Sequence, residues 1–162
     1  MTSILRVNSI QNRDGTTILN NTGSVIRYAD VRIPSTNDDY VGIADSVVYV
    51  TPVTITYTPL SASSRLVVKG QCQTRVIAAL GVSGGINRDG VAINGSFQRN
   101  SLSFWYKGDS VNHHYDVHCQ TSVIAGSTNP TTFTMFIQPL GGSGEFNFGW
   151  GNMFIQVWEI AR

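Results

Sequence analysis

Residues 65–76 have the sequence RLVVKGQCQTRV, and this stretch decides the fold class. Mostly apolar side chains alternate in it with long polar ones, which is the period of a β-strand with one buried face. The inward set is Leu66, Val68, Cys72, Thr74 and Val76, and the outward set is Lys69, Gln71, Gln73 and Arg75. The stretch therefore predicts a strand that lies on a hydrophobic core.

The same alternation recurs along the chain, whereas the three-and-four spacing of a helix is almost absent. Residues 46–57 alternate in this way, and Pro52 within them predicts a broken or edge strand. Further strands are predicted over 91–94, 101–106, 114–124, 132–138 and 153–160, separated by turn residues at 89–90, 107–109, 127–130 and 141–144. These short strands predict an all-β fold, a jelly-roll-like antiparallel β-sandwich.

The composition limits the classes of partner. Charged residues make up 13% of the 162, and the formal net charge is +1, with no basic block that could neutralise a run of phosphates. No stretch approaches the roughly 18 apolar residues of a membrane span, and the start lacks the pattern of a secretory signal. We therefore expect no nucleic-acid partner, no membrane insertion and synthesis in the cytoplasm.

The character of the sequence changes near residues 34–40, which are polar and rich in breakers. The segment before this change has too few large apolar residues to fold alone, yet it is too apolar for a disordered tail. We therefore predict an extended N-terminal arm over 1–34, which needs a partner surface, and a sandwich domain over 35–162. The partner contact is expected at Ile4, Leu5, Val7 and Ile10.

The tetrapeptide Asn-Arg-Asp-Gly occurs twice, at 12–15 and at 87–90, each time between apolar strand residues. Asp-Gly supplies the positive φ that a two-residue hairpin turn needs. Both copies are therefore predicted to be hairpins, and a repeated recognition loop is the alternative.

The densest chemical cluster runs from His113 to Cys119. On a strand, His114, Asp116 and His118 share one face, and Tyr115, Val117 and Cys119 share the core face. The first three could bind a transition metal if a symmetry axis brought three copies together, or they could simply form the solvent face of the sheet.

Catalytic patterns are weak. Cys72 and Cys119 fall on core-facing phases, so neither pairs with an exposed imidazole, and their separation indicates no disulfide framework. Residues 81–85, GVSGG, match the string of a serine elbow, but a hairpin signal follows instead of a helix, which predicts a loop. Carboxylates are too few to suggest a glycosidase pair. We expect no enzyme and no cofactor.

Aromatic residues gather in the last third of the chain, and some must face away from the core. Outward candidates are Trp105, Trp150 and Trp158, the last in phase with Phe154. Outward aromatics indicate either a subunit interface or a surface on which sugars stack. A carbohydrate-binding module is thus an alternative function.

Residues 3–12, 14–17 and 24–26 resemble the head segments of fibre-like proteins of tailed bacteriophages and cyanophages. Three later blocks, at 56–68, 88–93 and 154–160, resemble the pattern of the jelly-roll-like domain that follows in those virion proteins. The resemblance implies a homotrimeric virion component in which an arm leads into a jelly-roll-like domain. It also implies contact with other capsid or tail proteins and, through the displayed domain, with a host glycan. No long shaft lies between arm and domain, which favours a short fibre or a surface decoration.

Overall fold

The structure is a computed structural model that describes residues 9–11, 17–20, 23–33, 40–44, 47–76, 81–93, 102–106, 113–141, 144–147 and 153–162. In these ranges the chain forms thirteen strands and no helix, so no helix there is long and apolar enough to cross a membrane. The strands are β1 (Ser9–Gln11), β2 (Thr17–Asn20), β3 (Val25–Ile33), β4 (Tyr40–Ile43), β5 (Tyr49–Tyr57), β6 (Arg65–Val76), β7 (Gly81–Arg88), β8 (Val91–Ala92), β9 (Ser103–Tyr106), β10 (His113–Ile124), β11 (Thr131–Leu140), β12 (Gly144–Asn147) and β13 (Met153–Ile160).

Two antiparallel sheets form a sandwich, which confirms the predicted all-β fold class. In the six-stranded sheet, β6 pairs along one edge with β10 and along the other with β13 and then β12; β3 lies outside β13, and β4 lies outside β12. The five-stranded sheet has the order β5-β11-β7, and the far edge of β7 pairs with β8 and β9. A separate two-stranded sheet joins β1 and β2.

The core lies between the two sheets and follows the predicted alternation in β6. Leu66, Val68 and Cys72 are fully buried there, while the alternate residues are only half-buried. Neighbouring strands of the same sheet and the strands of the facing sheet contribute most of the remaining buried apolar side chains: Val53, Ile55, Tyr57, Val82, Ile86, Val117, Cys119, Phe133, Met135, Ile137, Met153, Ile155 and Val157. Burial of this set is the main force that stabilises the sandwich.

The turn at Asp89 and Gly90 has the predicted hairpin geometry. Both residues have positive φ, 51° and 81°, and they connect β7 to β8 with Arg88 opposite Val91. The other Asn-Arg-Asp-Gly copy lies between β1 and β2, which pair antiparallel as a hairpin requires, although residues 12–16 themselves are outside the described part. The hairpin prediction is thus confirmed for the copy at 87–90, and the turn at 12–15 stays a prediction.

Pro52 lies in an edge strand, as predicted. Among the described strands, β5 pairs with β11 alone, and the register shifts between Thr134 and Phe136, opposite the segment that contains Pro52. Proline has no N–H to donate to a ladder, so it is tolerated at an edge beside an irregularity.

Residues 81–85 are not the loop that the sequence predicts; they belong to β7, in the interior of the five-stranded sheet. Every residue from Gly81 to Asn87 is buried, so β7 shows no polar alternation. A strand that is covered on both faces loses the period-two signal on which the prediction depends.

Residues 25–33, which we assigned to the N-terminal arm, form β3 and pair with β13 over nearly its whole length. Ala29, Val31 and Ile33 pack against the core cluster. The partner surface that this part of the segment requires is thus the chain's own sandwich. The division of the chain at residue 34 otherwise stays a prediction.

Candidate functional site

The six-stranded sheet turns one face away from the core, and we call this its outer face. Strand pairing arranges its side chains in rows that run from β3 through β13 and β6 to β10. Three successive rows are Arg32-Phe154-Gln71-His118, Asp30-Gln156-Lys69-Gln120 and Tyr28-Trp158-Val67-Ser122, and the next one contains Ile160, Arg65 and Ile124. Residues directly opposite on neighbouring strands are close enough for their side chains to touch.

An aromatic pair lies on this face. The rings of Tyr28 and Trp158 have centroids 5.4 Å apart with an interplanar angle of 44°. Tyr28 is 46% exposed, and Trp158 is half-buried. The Gln156 side-chain amide donates a hydrogen bond of 3.0 Å to the Tyr28 hydroxyl, which fixes the tyrosine beside the indole. Trp158, a predicted outward aromatic, therefore presents part of its ring to the surface.

A third aromatic side chain on this face, Phe154, lies close to two cations. The Arg32 guanidinium carbon is 5.6 Å and the Lys69 ammonium is 5.7 Å from the Phe154 ring centroid, distances that allow cation–π attraction. The Arg32 Nε also donates a 2.8 Å hydrogen bond to Asp30 Oδ2, and this bond raises the pKa of Arg32. Asp30 is thus paired within the face.

An open depression lies at the end of the face, one row beyond Trp158. It is lined by Gly23, Arg65, Ile160, Ala161 and Arg162. Backbone hydrogen bonds shape its wall, from Gly23 N–H to the Ala161 carbonyl and from Ala161 N–H to the Ser24 carbonyl. Gly23 has a φ of 80°, a conformation that favours glycine.

His114, Asp116 and His118 lie on the outer face of β10 and are exposed. Val117 and Cys119 are buried on the opposite face, with Tyr115 half-buried. No group of three or more His, Cys, Asp or Glu side chains that could hold a metal occurs within the described part of one chain. A metal shared between copies through these three residues stays a prediction.

Both cysteines are buried free thiols in adjacent strands. Val117 lies opposite Cys72, and Gly70 lies opposite Cys119. Burial raises the pKa of Cys119 to about 12 and also raises the pKa of Cys72. Neither thiol therefore forms the thiolate that a nucleophile needs at neutral pH.

The serine of the GVSGG string, Ser83, is also buried. Its hydroxyl donates to the Gln138 carbonyl at 3.4 Å, and the segment continues as a strand. A serine elbow needs an exposed hydroxyl at a strand-to-helix turn, so this segment does not have that geometry.

A buried carboxylate that the sequence did not reveal is Glu159, which has no exposed surface. It accepts hydrogen bonds from the Tyr57 hydroxyl at 2.8 Å and from the backbone N–H groups of Leu60 at 2.8 Å and Ser61 at 3.3 Å. Burial alone would raise the pKa of Glu159, but these donors and the nearby Ser64 hydroxyl outweigh it, and the pKa is lowered. The carboxylate fixes the loop between β5 and β6.

The hairpin at 87–90 also has a structural role. Asp89 accepts bonds of 2.8 Å from the Thr132 N–H and from the Thr131 hydroxyl. Arg88 donates to the carbonyls of Ile124 and Ala125. The pair thereby locks the turn between β10 and β11 to the hairpin, which supports a structural role for this copy of the motif.

Other predicted site residues lie wholly or partly outside the described part of the chain. Ile4, Leu5, Val7 and Trp150 fall in ranges that the structure does not describe. Ile10 lies in β1 opposite Leu19, and Trp105 lies in β9 opposite Val82, with the side chains of both outside the description. Their assigned roles, anchoring for the first group and interface or sugar stacking for the tryptophans, stay predictions.

The chain matches no protein-family model and no curated protein sequence. Among solved structures, the chain is similar to a chain in the structure of the Gx strain of infectious bursal disease virus. The sequence identity is 11% and the TM-score is 0.50, and the match covers 97% of this chain and 36% of the viral chain. The chain is also similar to a chain in the crystal structure of the infectious bursal disease virus VP2 subviral particle. The sequence identity is 11% and the TM-score is 0.43, and the match covers 97% of this chain and 37% of that chain.

The first of these structures shares its fold with the described sandwich. This chain spans about a third of the length of that viral chain, 36%. At this identity the likeness concerns the fold alone and carries no role over to this chain.

Proposed function

We propose that the chain is a structural subunit of a virion that works by self-assembly. The observation that carries the proposal is the sandwich fold, shared over 97% of the chain with a protein of the infectious bursal disease virus particle. The more specific form is a short trimeric fibre or a capsid or tail surface protein of a bacteriophage. Its N-terminal segment would contact other virion proteins, and its sandwich would face outward. It would be made in the host cytoplasm.

An exposed apolar patch supports self-association. Val47, Val48 and Val50 are each about half exposed, at 51%, 51% and 50%; the first two precede edge strand β5 and the third lies in it. Neighbouring exposed apolar side chains of this kind mark protein contacts more often than isolated ones. Pro52 interrupts backbone donors in the same strand, so we expect side-chain contact between copies and not pairing of strand edges.

The test is the solution mass of the full chain by light scattering. We expect about three times 17.6 kDa for the wild type, and the monomer mass for a Val48→Asp/Val50→Asp variant, because buried carboxylates in the contact oppose assembly. Val91→Asp is the matched control. Val91 is 71% exposed and lies in β8, at the edge of the five-stranded sheet opposite β5. A monomeric wild type would contradict the proposal.

A second measurement separates the arm from the sandwich. A truncation without residues 1–22 keeps β3 and the whole sandwich. If this truncation retains the oligomeric mass, the sandwich holds the assembly and the removed segment is free to anchor the protein. If it is a folded monomer, the segment is the assembly device.

A second candidate function is carbohydrate binding, which would serve host adhesion. The observation that favours it is the partly exposed Trp158 beside Tyr28 on the outer face. Aromatic faces next to polar side chains are typical of surfaces on which sugar rings stack. This candidate would become the main proposal if the wild-type chain were monomeric.

A further inference from the structure

We infer that the outer face carries a binding site for an anionic glycan, at the depression beside Trp158. The inference deepens the second candidate function, because it names the class of sugar and the residues that recognise it. It does not depend on the oligomeric state. Arg65 and Arg162 would bind the anionic group, and Trp158 with Tyr28 would stack on the adjoining ring.

The first step is the placement of the two kinds of group. Ile160 follows Trp158 as the next outward residue of β13, and Arg65 lies directly opposite Ile160 on β6. Two residues along a strand cover roughly 7 Å, about the length of one pyranose ring with its substituents. A sugar stacked on Trp158 therefore places a ring substituent within reach of Arg65.

The second step is the charge. Arg65 and Arg162 line the depression, and Lys69 lies two rows away; within the described part of the chain none of the three forms an ion pair. Of the acids at outer-face positions, Asp30 is bonded to Arg32. Asp116 lies opposite Gln73 and Glu145 lies opposite Arg75, eight and ten residues along β6 from Arg65. The local excess of positive charge favours a carboxylate or a sulfate over a neutral sugar.

The third step concerns the competing occupant, a second copy of the chain. A symmetric contact at this end would bring Arg65 and Arg162 of two copies together, which is electrostatically unfavourable. The apolar patch of Val47, Val48 and Val50 carries no such charge. The outer face at the depression is thus better suited to an anionic ligand than to self-assembly.

The experiment measures binding of the full chain to four probes by isothermal titration: sialyllactose, a heparin tetrasaccharide, lactose and an oligo-dT strand. We expect binding to sialyllactose or to the heparin tetrasaccharide, and which of the two binds distinguishes a carboxylate from a sulfate. The affinity should fall as salt rises. Lactose should bind at least tenfold more weakly.

The variants locate the site. Arg65→Gln/Arg162→Gln should weaken binding of the anionic probe at least tenfold, and Trp158→Leu should weaken it by a similar factor. Arg75→Gln is the matched control, because Arg75 lies on the same strand and face ten residues from Arg65; its affinity should stay within twofold. If Trp158→Leu fails to fold, the arginine variant still decides the question.

Several results would overturn the inference: no binding of either anionic glycan, equal binding of lactose, tighter binding of oligo-dT, or an unchanged affinity in the arginine variant. Light scattering on the same samples keeps the two proposals apart. An intact oligomer that binds no anionic glycan would remove this inference and leave the structural proposal standing.

Discussion

At the scale of single residues, the side chain with the clearest energetic consequence is Glu159. It is fully buried and accepts three hydrogen bonds that organise the loop after β5. A buried ion of this kind is stable only while all its donors remain in place. The loop and the closing strand β13 are therefore coupled through one carboxylate.

We expect Glu159→Leu to lower the free energy of unfolding by about 3 kcal/mol, because it leaves buried N–H groups without an acceptor. Glu159→Gln should cost only ~1 kcal/mol, since its carbonyl can accept from the backbone and its amide can donate to the Tyr57 hydroxyl. Urea denaturation at pH 7 measures both. Equal losses in the two variants would contradict the role of the carboxylate as an acceptor.

The lowered pKa of Glu159 predicts how the stability of the folded chain changes with pH. The pKa of Glu159 in the folded chain lies below its ordinary value of 4.5, so its stabilising contribution is present above 4.5 and is lost as the pH falls through the folded-state pKa. The wild type should therefore lose more stability than Glu159→Gln between pH 5 and the acid limit of folding. Parallel curves for the two proteins in that range would show that other groups control acid unfolding.

At the scale of elements, β7 shows why a glycine-rich segment can lie in the interior of a sheet. A side chain at Gly84 would overlap Val117 Cγ1, and one at Gly85 would overlap the Phe136 ring. The glycines allow the neighbouring strand and the opposite sheet to approach on both faces of β7. The side chains that require glycine at these two positions are more than 30 residues away in the sequence. The local sequence therefore could not reveal the requirement.

Gly84→Ala should lower the free energy of unfolding by about 2 kcal/mol through overpacking. Val117→Ala in the same chain should recover part of that loss, because the methyl group then has room, and the two changes should couple by at least ~1 kcal/mol in a double-mutant cycle. Gly42→Ala is the control, since nothing lies within 4 Å of its added carbon. Additive losses at 84 and 117 would show that the sheets relax independently.

Alternation predicted the fold class, the two faces of β6 and β10, and the bounds of β13, because each depends on a period that the local sequence carries. Trp158 and Phe154 were placed on one face for the same reason. The contact of Trp158 with Tyr28 could not be predicted, since it follows from the pairing of β3 with β13 across most of the chain. The buried Glu159 was missed because a carboxylate at an inward phase indicates nothing until its donors are known.

At the scale of the whole molecule, β3 is the element that joins the N-terminal segment to the sandwich. It covers one edge of β13, and Arg27 reaches from it to the Thr58 carbonyl at 2.9 Å and lies over the Tyr57 ring. The six-stranded sheet therefore depends on a strand that the sequence alone assigned to the arm.

A truncation without residues 1–33 should lose at least ~3 kcal/mol relative to one without residues 1–22, because it removes the β3 ladder and the packing of Ala29, Val31 and Ile33. Urea unfolding followed by tryptophan fluorescence measures the difference. The two truncations would have equal stability if the domain began at residue 35 and β3 were dispensable.

The two buried thiols would report the opening of the sandwich. Because Cys72 and Cys119 sit in the middle of the sandwich with raised pKa values, a thiol reagent can modify them only after the two sheets separate. Each opened chain would then gain two labels, and each closed chain would gain none. Mass spectrometry of a labelled sample would therefore measure the fraction of opened chains without an engineered probe.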